Sequence, residues 1–263
     1  MPTVPKRRGP RVVYALALVA ATLFVVPLLG LLAQTPWSRL GGLFGSEIVV
    51  EALRVSLVTS TISAALSVVL GVPLAWVLAR TDLRGLTVIR SIVLLPMVLP
   101  PVVGGAALLF AFGRRGIVGE VLDTAAGLTL PFSMWGVVLA NTFVAMPFLV
   151  VTVEGALRNL DTRYESAAST LGASELTVMR RVTLPLIAPS LRAGVVLAWA
   201  RALGEFGATI TFAGSLQGRT QTLPLAVFAA LESDRDAAVA ISLLLIVISL
   251  VLLVLLRDRW WSR

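Results

Sequence analysis

The sequence predicts an all-α membrane protein with six transmembrane helices, and two observations carry that expectation. Of 263 residues, 57% are hydrophobic and only 14% are charged, against about 45–50% apolar and about 25% charged in soluble domains. Six apolar runs also reach the length of about 20 residues that a helix needs to cross a hydrocarbon core about 30 Å thick.

The first run, residues 12–33, follows Lys6, Arg7, Arg8 and Arg11. It exceeds the usual signal-peptide core of about 7–15 residues and has no small-x-small cleavage site before Trp37. It therefore reads as a retained anchor. The remaining runs are 55–79, 91–112, 134–153, 193–213 and 237–256, the last followed by Arg257, Arg259 and Arg263. Trp260 and Trp261 beside these arginines suit an interfacial anchor. With the N-terminus in the cytoplasm, 15 basic residues fall inside and six outside (Arg39, Arg54, Arg114, Arg115, Arg219 and Arg235), with Arg201 inside a run. The positive-inside rule then places both termini in the cytoplasm. The chain divides accordingly into an N-terminal segment, anchor and external loop (1–47), a transmembrane domain (48–256) and a tail (257–263).

Composition also excludes chemistry. There is no Cys and no His, so thiolate nucleophiles, disulfides and imidazole bases are absent. Lys6 is the only lysine, and no GxxxxGK[ST] loop exists to hold a nucleotide's phosphates. The net charge of +8 comes from basic residues scattered in gaps between apolar runs. That is not the single basic stripe of a nucleic-acid binder.

Three segments depart from plain apolar helix. The run 91–112 opens with LLPMVLPPVVGG, where Pro96, Pro100 and Pro101 remove backbone donors. Broken backbone at membrane depth is tolerated only against protein or a wet cavity, so this segment is expected to face a bundle or pathway, unless it is a simple kink. The run 193–213 carries Arg201 and Glu205. Four residues apart, they are expected on one helix face, each neutralising a charge that would alone cost about 2.5–3.5 kcal/mol at mid-bilayer. Gly204 and Gly207 beside Glu205 permit close backbone approach, and Thr209 and Thr211 add hydroxyls. These residues are gate or pathway candidates, or a pair serving assembly alone.

The third segment is the connection of about forty residues between the fourth and fifth runs, long enough to be functional. Thr162 and Glu165 have capping-box spacing ahead of a helix over 163–171. Gly172 supplies a left-handed stop, Ser174 caps a second helix, and Pro185 ends that helix near Leu184. Helices this short need a partner for Ala167, Ala168, Leu171, Val178 and Val182, either the protein itself or a soluble subunit.

The stretch ESAASTLGASELTVMRRVTLP, 165–185, resembles the EAA loop of ABC-importer membrane subunits. Ala167, Ala168, Gly172, Val182, Leu184 and Pro185 match its spacing; Ser166 occupies the motif's Glu position, and Glu165 stands one residue earlier. The run WARALGEFGATITFAGSLQGRTQTLPLAVF, together with LLPMVLPP and AFGRRG, is similar to the molybdate-type permeases of that family, close to the sulfate and tungstate members. The resemblance implies a type I importer transmembrane fold in a prokaryotic cytoplasmic membrane, with coupling helices between the fourth and fifth spans. It implies a non-catalytic subunit that binds no cofactor, working as a homodimer with two copies of an ATPase that holds ATP-Mg and with one external oxyanion-binding protein. Molybdate, with tungstate as a further cargo, is the expected substrate. Competing expectations are a sulfate or thiosulfate importer permease and an ion-coupled oxyanion carrier.

Overall fold

The chain threads thirteen α-helices through the described residues, 10–260 of a computed structural model. Lys6, Arg7 and Arg8 of the expected cytoplasmic N-terminus, and Trp261 and Arg263 of the tail, lie outside the described residues.

Helix α1 (Arg11–Ala33) buries none of its residues in this single chain. Being apolar all round, it suits a lipid or protein environment and not water. A short α2 (Leu40–Phe44) follows, and Arg39 beside it is paired with Asp236 at 2.5 Å. The next helix, α3, spans Glu47–Arg80, starting well before the expected residue 55. Ser46, in extended conformation, sets the earlier start, and burial of Val49 and Ala52 holds it despite the charges of Glu51 and Arg54.

The run 91–112 is two helices, α4 (Leu86–Val98) and α5 (Pro101–Phe112). Leu99 and Pro100 between them are extended, so the expected break falls there, with Pro101 opening the second helix and Pro96 lying inside the first. A small helix, α6 (Gly119–Ala126), leads to α7 (Met134–Asn159), whose N-terminus is capped by the Ser133 hydroxyl accepting from the Gly136 N–H at 3.1 Å.

Helix α7 is the central post. Ser56, Thr59, Ser60, Ser63 and Ser67 recur at three- and four-residue steps on α3, and all are buried. Small side chains let two backbones approach closely in a membrane bundle, and Ser63 donates to the Val138 carbonyl across the contact at 3.0 Å. The main apolar core joins Ala75 and Leu78 of α3 and Leu149, Val150 and Val153 of α7 to Ile187, Ala198 and Ala202 of the fifth segment.

In the long connection, α8 (Arg163–Thr170) and α9 (Glu175–Val178) flank Gly172 as expected. The expected stop near Leu184 does not occur. A π turn over Met179–Thr183 runs directly into α10 (Leu184–Leu203), making one helix of 29 residues from Glu175 to Leu203. Pro185 is accommodated because a π turn widens the ladder at the carbonyls that its ring would otherwise strike. The helix expected over 193–213 is correspondingly displaced. It ends at Leu203, and α11 (Gly207–Ala213) is separate.

Two further helices complete the chain. Apolar α12 (Leu223–Ser233) was not anticipated, and α13 (Arg235–Trp260) continues past the expected end at 256. Among the described residues five helical segments are long and apolar enough to cross a membrane, while α4 and α5, where a further crossing was expected, are each shorter apolar helices.

Candidate functional site

The residues singled out by the sequence gather in two places, on different parts of the bundle. The first is where the two broken segments meet. Helix α11 packs on α5 so closely that a Cβ on Gly207 would stand 2.5 Å from Pro101 Cβ, and one on Gly105 would stand 2.7 Å from Thr211 Cβ. The Leu99–Pro100 break and the Gly204–Phe206 break therefore abut, which only glycine at these contacts permits.

Glu205 lies in the second break, outside both flanking helices. The expectation that it shares a helix face with Arg201 is thus corrected, because α10 has ended at Leu203. The pair forms nonetheless: Arg201 Nη1 is 2.6 Å from Glu205 Oε2, with the glutamate side chain 1% exposed and the arginine 28%. The other carboxylate oxygen accepts from the Ala208 N–H at 2.8 Å. One side chain thereby satisfies a free donor at the start of α11 and neutralises Arg201.

Thr209 extends this network, donating to Asn141 Oδ1 at 3.3 Å, while Asn141 Nδ2 reaches Thr59 Oγ1 at 3.5 Å. Asn141, buried on α7, ties α11 to α3. Sequence reasoning missed it, since one Asn in an apolar run has no local pattern to announce its partners. Thr211 donates to the Gly207 carbonyl of its own helix at 2.9 Å. Gly204 is exposed and Pro96 half-buried, and neither joins the network.

The second place is the long connection. Gly172 has φ +85°, and the Gly172 and Ala173 N–H groups donate to the Ser169 and Ala168 carbonyls at 2.9 and 3.1 Å. This is the paired-bond stop of a helix ended by a left-handed glycine. Ser174 caps α9 through the Thr177 N–H at 3.4 Å, as expected. The capping box at Thr162 does not form; Asp161 Oδ1 accepts from the Arg163 N–H instead, at 3.0 Å.

Glu165 turns away to bridge Arg80, at 3.0 Å, and the Thr183 hydroxyl, at 2.7 Å. Ser166 donates to the Thr162 carbonyl within the loop at 3.0 Å. The apolar face divides: Val178 is buried, Val182 and Ala168 are half-buried, Ala167 is exposed, and Leu171 is 89% exposed. Leu184 is half-buried and Pro185 exposed.

A third ionic cluster went unnoticed in the sequence. Glu154, buried near the end of α7, accepts from Arg90 at 2.5 Å and Arg158 at 2.9 Å, and both arginines also reach the Leu78 carbonyl. Only the Glu154 and Arg158 spacing was visible locally. Among the described residues, no group of three or more His, Cys, Asp or Glu could hold a metal ion.

Comparison with known proteins places this architecture. Residues 67–260 match the family model described as binding-protein-dependent transport system inner membrane component. The chain is 50% identical over 240 residues to the molybdenum transport system permease protein of Mycobacterium tuberculosis, covering 91% of this chain and 90% of that one. It is 35% identical over 249 residues to the sulfate transport system permease protein of Salmonella typhimurium, with 91% and 90% covered. Its fold is similar to a chain of a bacterial ABC transporter involved in the import of the acidic polysaccharide alginate, with TM-score 0.76, 19% identity and 96% of each chain covered.

Proposed function

The chain belongs to the family of binding-protein-dependent transport system inner membrane components, and from that premise we propose that it is the membrane subunit of an ATP-driven molybdate importer. The observation that carries the substrate is the 50% identity to a molybdenum permease across nine-tenths of both chains, against 35% to a sulfate permease over the same share. The subunit is not itself an enzyme. A separate ATPase binds and hydrolyses ATP-Mg, and an external binding protein delivers the anion.

The loop at Gly172 is the element that takes up motion of the ATPase. Its support is physical: Leu171 and Tyr164, 89% and 59% exposed, project from a loop ended by a rigid glycine stop, as an apolar docking edge requires. The pathway runs beside the abutting breaks at Pro100–Pro101 and Gly204–Gly207. A closed gate there is held by Glu205, which leaves Arg201 no net charge with which to trap a dianion. Thr209 and Thr211 belong to the same gate, and Pro96 shapes the approach of α4 to it.

Two copies of the chain line one pathway. The apolar surface that a single copy leaves open on α4 and α5, including Val98 at 83% and Phe110 at 76% exposure, needs lipid or protein against it, and in this reading the second copy covers part of it. Both termini lie in the cytoplasm, on the charge distribution given above.

Labelled molybdate uptake at low external concentration, in cells with and without this chain, tests the reading. Uptake that vanishes with the chain and is blocked by excess tungstate but not by excess sulfate is the expected result. Uptake that persists without the chain overturns the assignment, and equal competition by sulfate overturns the substrate. Dependence on the proton gradient instead of ATP would replace the importer with an ion-coupled carrier.

A further inference from the structure

We propose that Arg80, Glu165 and Thr183 form a latch that fastens α8 to the end of α3, so that movement of the loop reaches α3 through these side chains and not only through the backbone of α10. The inference rests on the functional reading above, in which the loop follows an ATPase subunit.

The three residues come from three elements: the last residue of α3, the first turn of α8 and the last residue of the π turn. Glu165 Oε2 is 3.0 Å from Arg80 Nη2, and Glu165 Oε1 accepts from the Thr183 hydroxyl at 2.7 Å. The Arg80 and Glu165 side chains are only 15% and 19% exposed, so solvent screens this pair far less than a surface ion pair. Arg80 Nε and Nη2 are both buried without a hydrogen-bond partner, so Glu165 meets the guanidinium as an ion pair and not through an aligned hydrogen bond. Compensation of that guanidinium therefore falls on Glu165, and a neutral residue at 165 leaves a buried cation unpaired.

Helix α8 needs such a tie. It has eight residues, none of them buried, Thr162 does not cap it and Asp161 satisfies only the Arg163 N–H, and helices this short do not hold alone in water. Ser166, Ser169 and Thr170 direct their hydroxyls to carbonyls of their own loop. Glu165 is the side chain of α8 whose polar contacts leave the loop. Thr183 can meet it because the π turn widens the helix where Thr183 sits.

The site of attachment is informative. Two residues before Arg80, the Leu78 carbonyl accepts from Arg158 at 2.9 Å and Arg90 at 3.3 Å, and both arginines share Glu154. The last turn of α3 is therefore fastened to α8 through Arg80 and to α4 and α7 through Leu78. A displacement of α8 is passed to three helices at one point. Glu165 is a positioning residue in this scheme and not a contact with the ATPase.

The test uses the whole importer in proteoliposomes, measuring molybdate moved per ATP hydrolysed and the ATPase subunit retained on purification. Glu165→Gln and Arg80→Gln are each expected to lower the transport ratio about five-fold with the ATPase subunit retained, and the double variant to be no worse than either single. Thr183→Val, which leaves the ion pair in place, is expected to lose about two-fold. A wild-type ratio in Glu165→Gln overturns the latch, as do losses that multiply in the double variant. Loss of the ATPase subunit from Glu165→Gln but not from Arg80→Gln also overturns it, by making Glu165 a direct docking contact.

Trypsin cleavage after Arg163, Arg180 and Arg181 gives a readout independent of the cargo. Should the wild type move no molybdate, the functional reading fails alone; cleavage about three-fold faster in both single variants still supports the latch, and unchanged cleavage overturns it.

Discussion

Replacing Glu205 with Gln isolates the charge of the side chain that closes the second helix break. Glutamine keeps an oxygen for the Ala208 N–H, 2.8 Å away in the native chain, but sets an uncharged amide against Arg201. Two unit charges about 4 Å apart attract by about 4 kcal/mol at an effective dielectric of about 20. Arg201 retains 28% of its side-chain exposure, so water screens part of that attraction. The expected net loss is about 2 kcal/mol, below the 3–5 kcal/mol of breaking a fully buried pair.

The double variant Arg201→Gln, Glu205→Gln leaves no unpaired charge, and its loss is expected to fall to about 1 kcal/mol. The assay is the fraction of assembled complex that survives graded heating in detergent, with molybdate uptake per complex measured alongside. A single variant that matches the wild type in both measurements would refute the reasoning. So would a double variant whose loss equals the sum of the two singles, since the residues would then not be coupled.

Gly207→Ala puts a Cβ 2.5 Å from the rigid Pro101 ring, and overpacking of about 1–3 kcal/mol is expected, read as lowered heat resistance and slowed uptake; wild-type behaviour would mean that the two breaks separate freely. Glu154→Gln leaves Arg90 and Arg158 sharing a neutral amide, and because both arginines are partly open to solvent a destabilisation of about 1–2 kcal/mol is expected from thermal unfolding of the purified complex; an unchanged midpoint contradicts the cluster's role. Gly172→Pro replaces a residue at φ +85° with one confined near −65°. The protein should still reach the membrane while ATP hydrolysis loses its connection to uptake, and full uptake in that variant would refute the loop's role.

The apolar runs, the proline break and the glycine stop were legible because each depends on residues close together in sequence. Leu99 and Pro100 are extended where prolines forbid helix, and Gly172 adopts the left-handed conformation that its place after α8 suggests. The limits of local reading show at Pro185. A proline there reads as a helix end, yet a π turn carries the helix through it into the packed segment around Ile187 and Ala198. The fifth segment misled in the opposite sense, since Gly204 and Gly207 read as sites of close approach within one helix; Gly207 is such a site, but α10 ends at Leu203, before Gly204, and α11 begins at Gly207. Contacts assembled across the chain left no local trace. Arg90 and Glu154 are 64 residues apart and Asn141 and Thr59 are 82 apart, and no periodicity connects them.

The length of α3 has a mechanical consequence. At 1.5 Å per residue, its 34 residues make a rod about 51 Å long, well beyond the 30 Å hydrocarbon core. Near one end Ser56 accepts from the Leu223 N–H at 2.7 Å and Glu51 lies against Gly218, while Arg80 closes the other end. Pro73 interrupts its hydrogen-bond ladder, but Gly71 beside it fits against Leu149 and Val150, which braces the weak point. Tilting such a rod by about 5° about its middle carries each tip roughly 2 Å in opposite directions, given that rise per residue. Were the rod to pivot in this way, a push at Arg80 would reappear with reversed sign, and at about half the size, where Ser56 meets the start of α12.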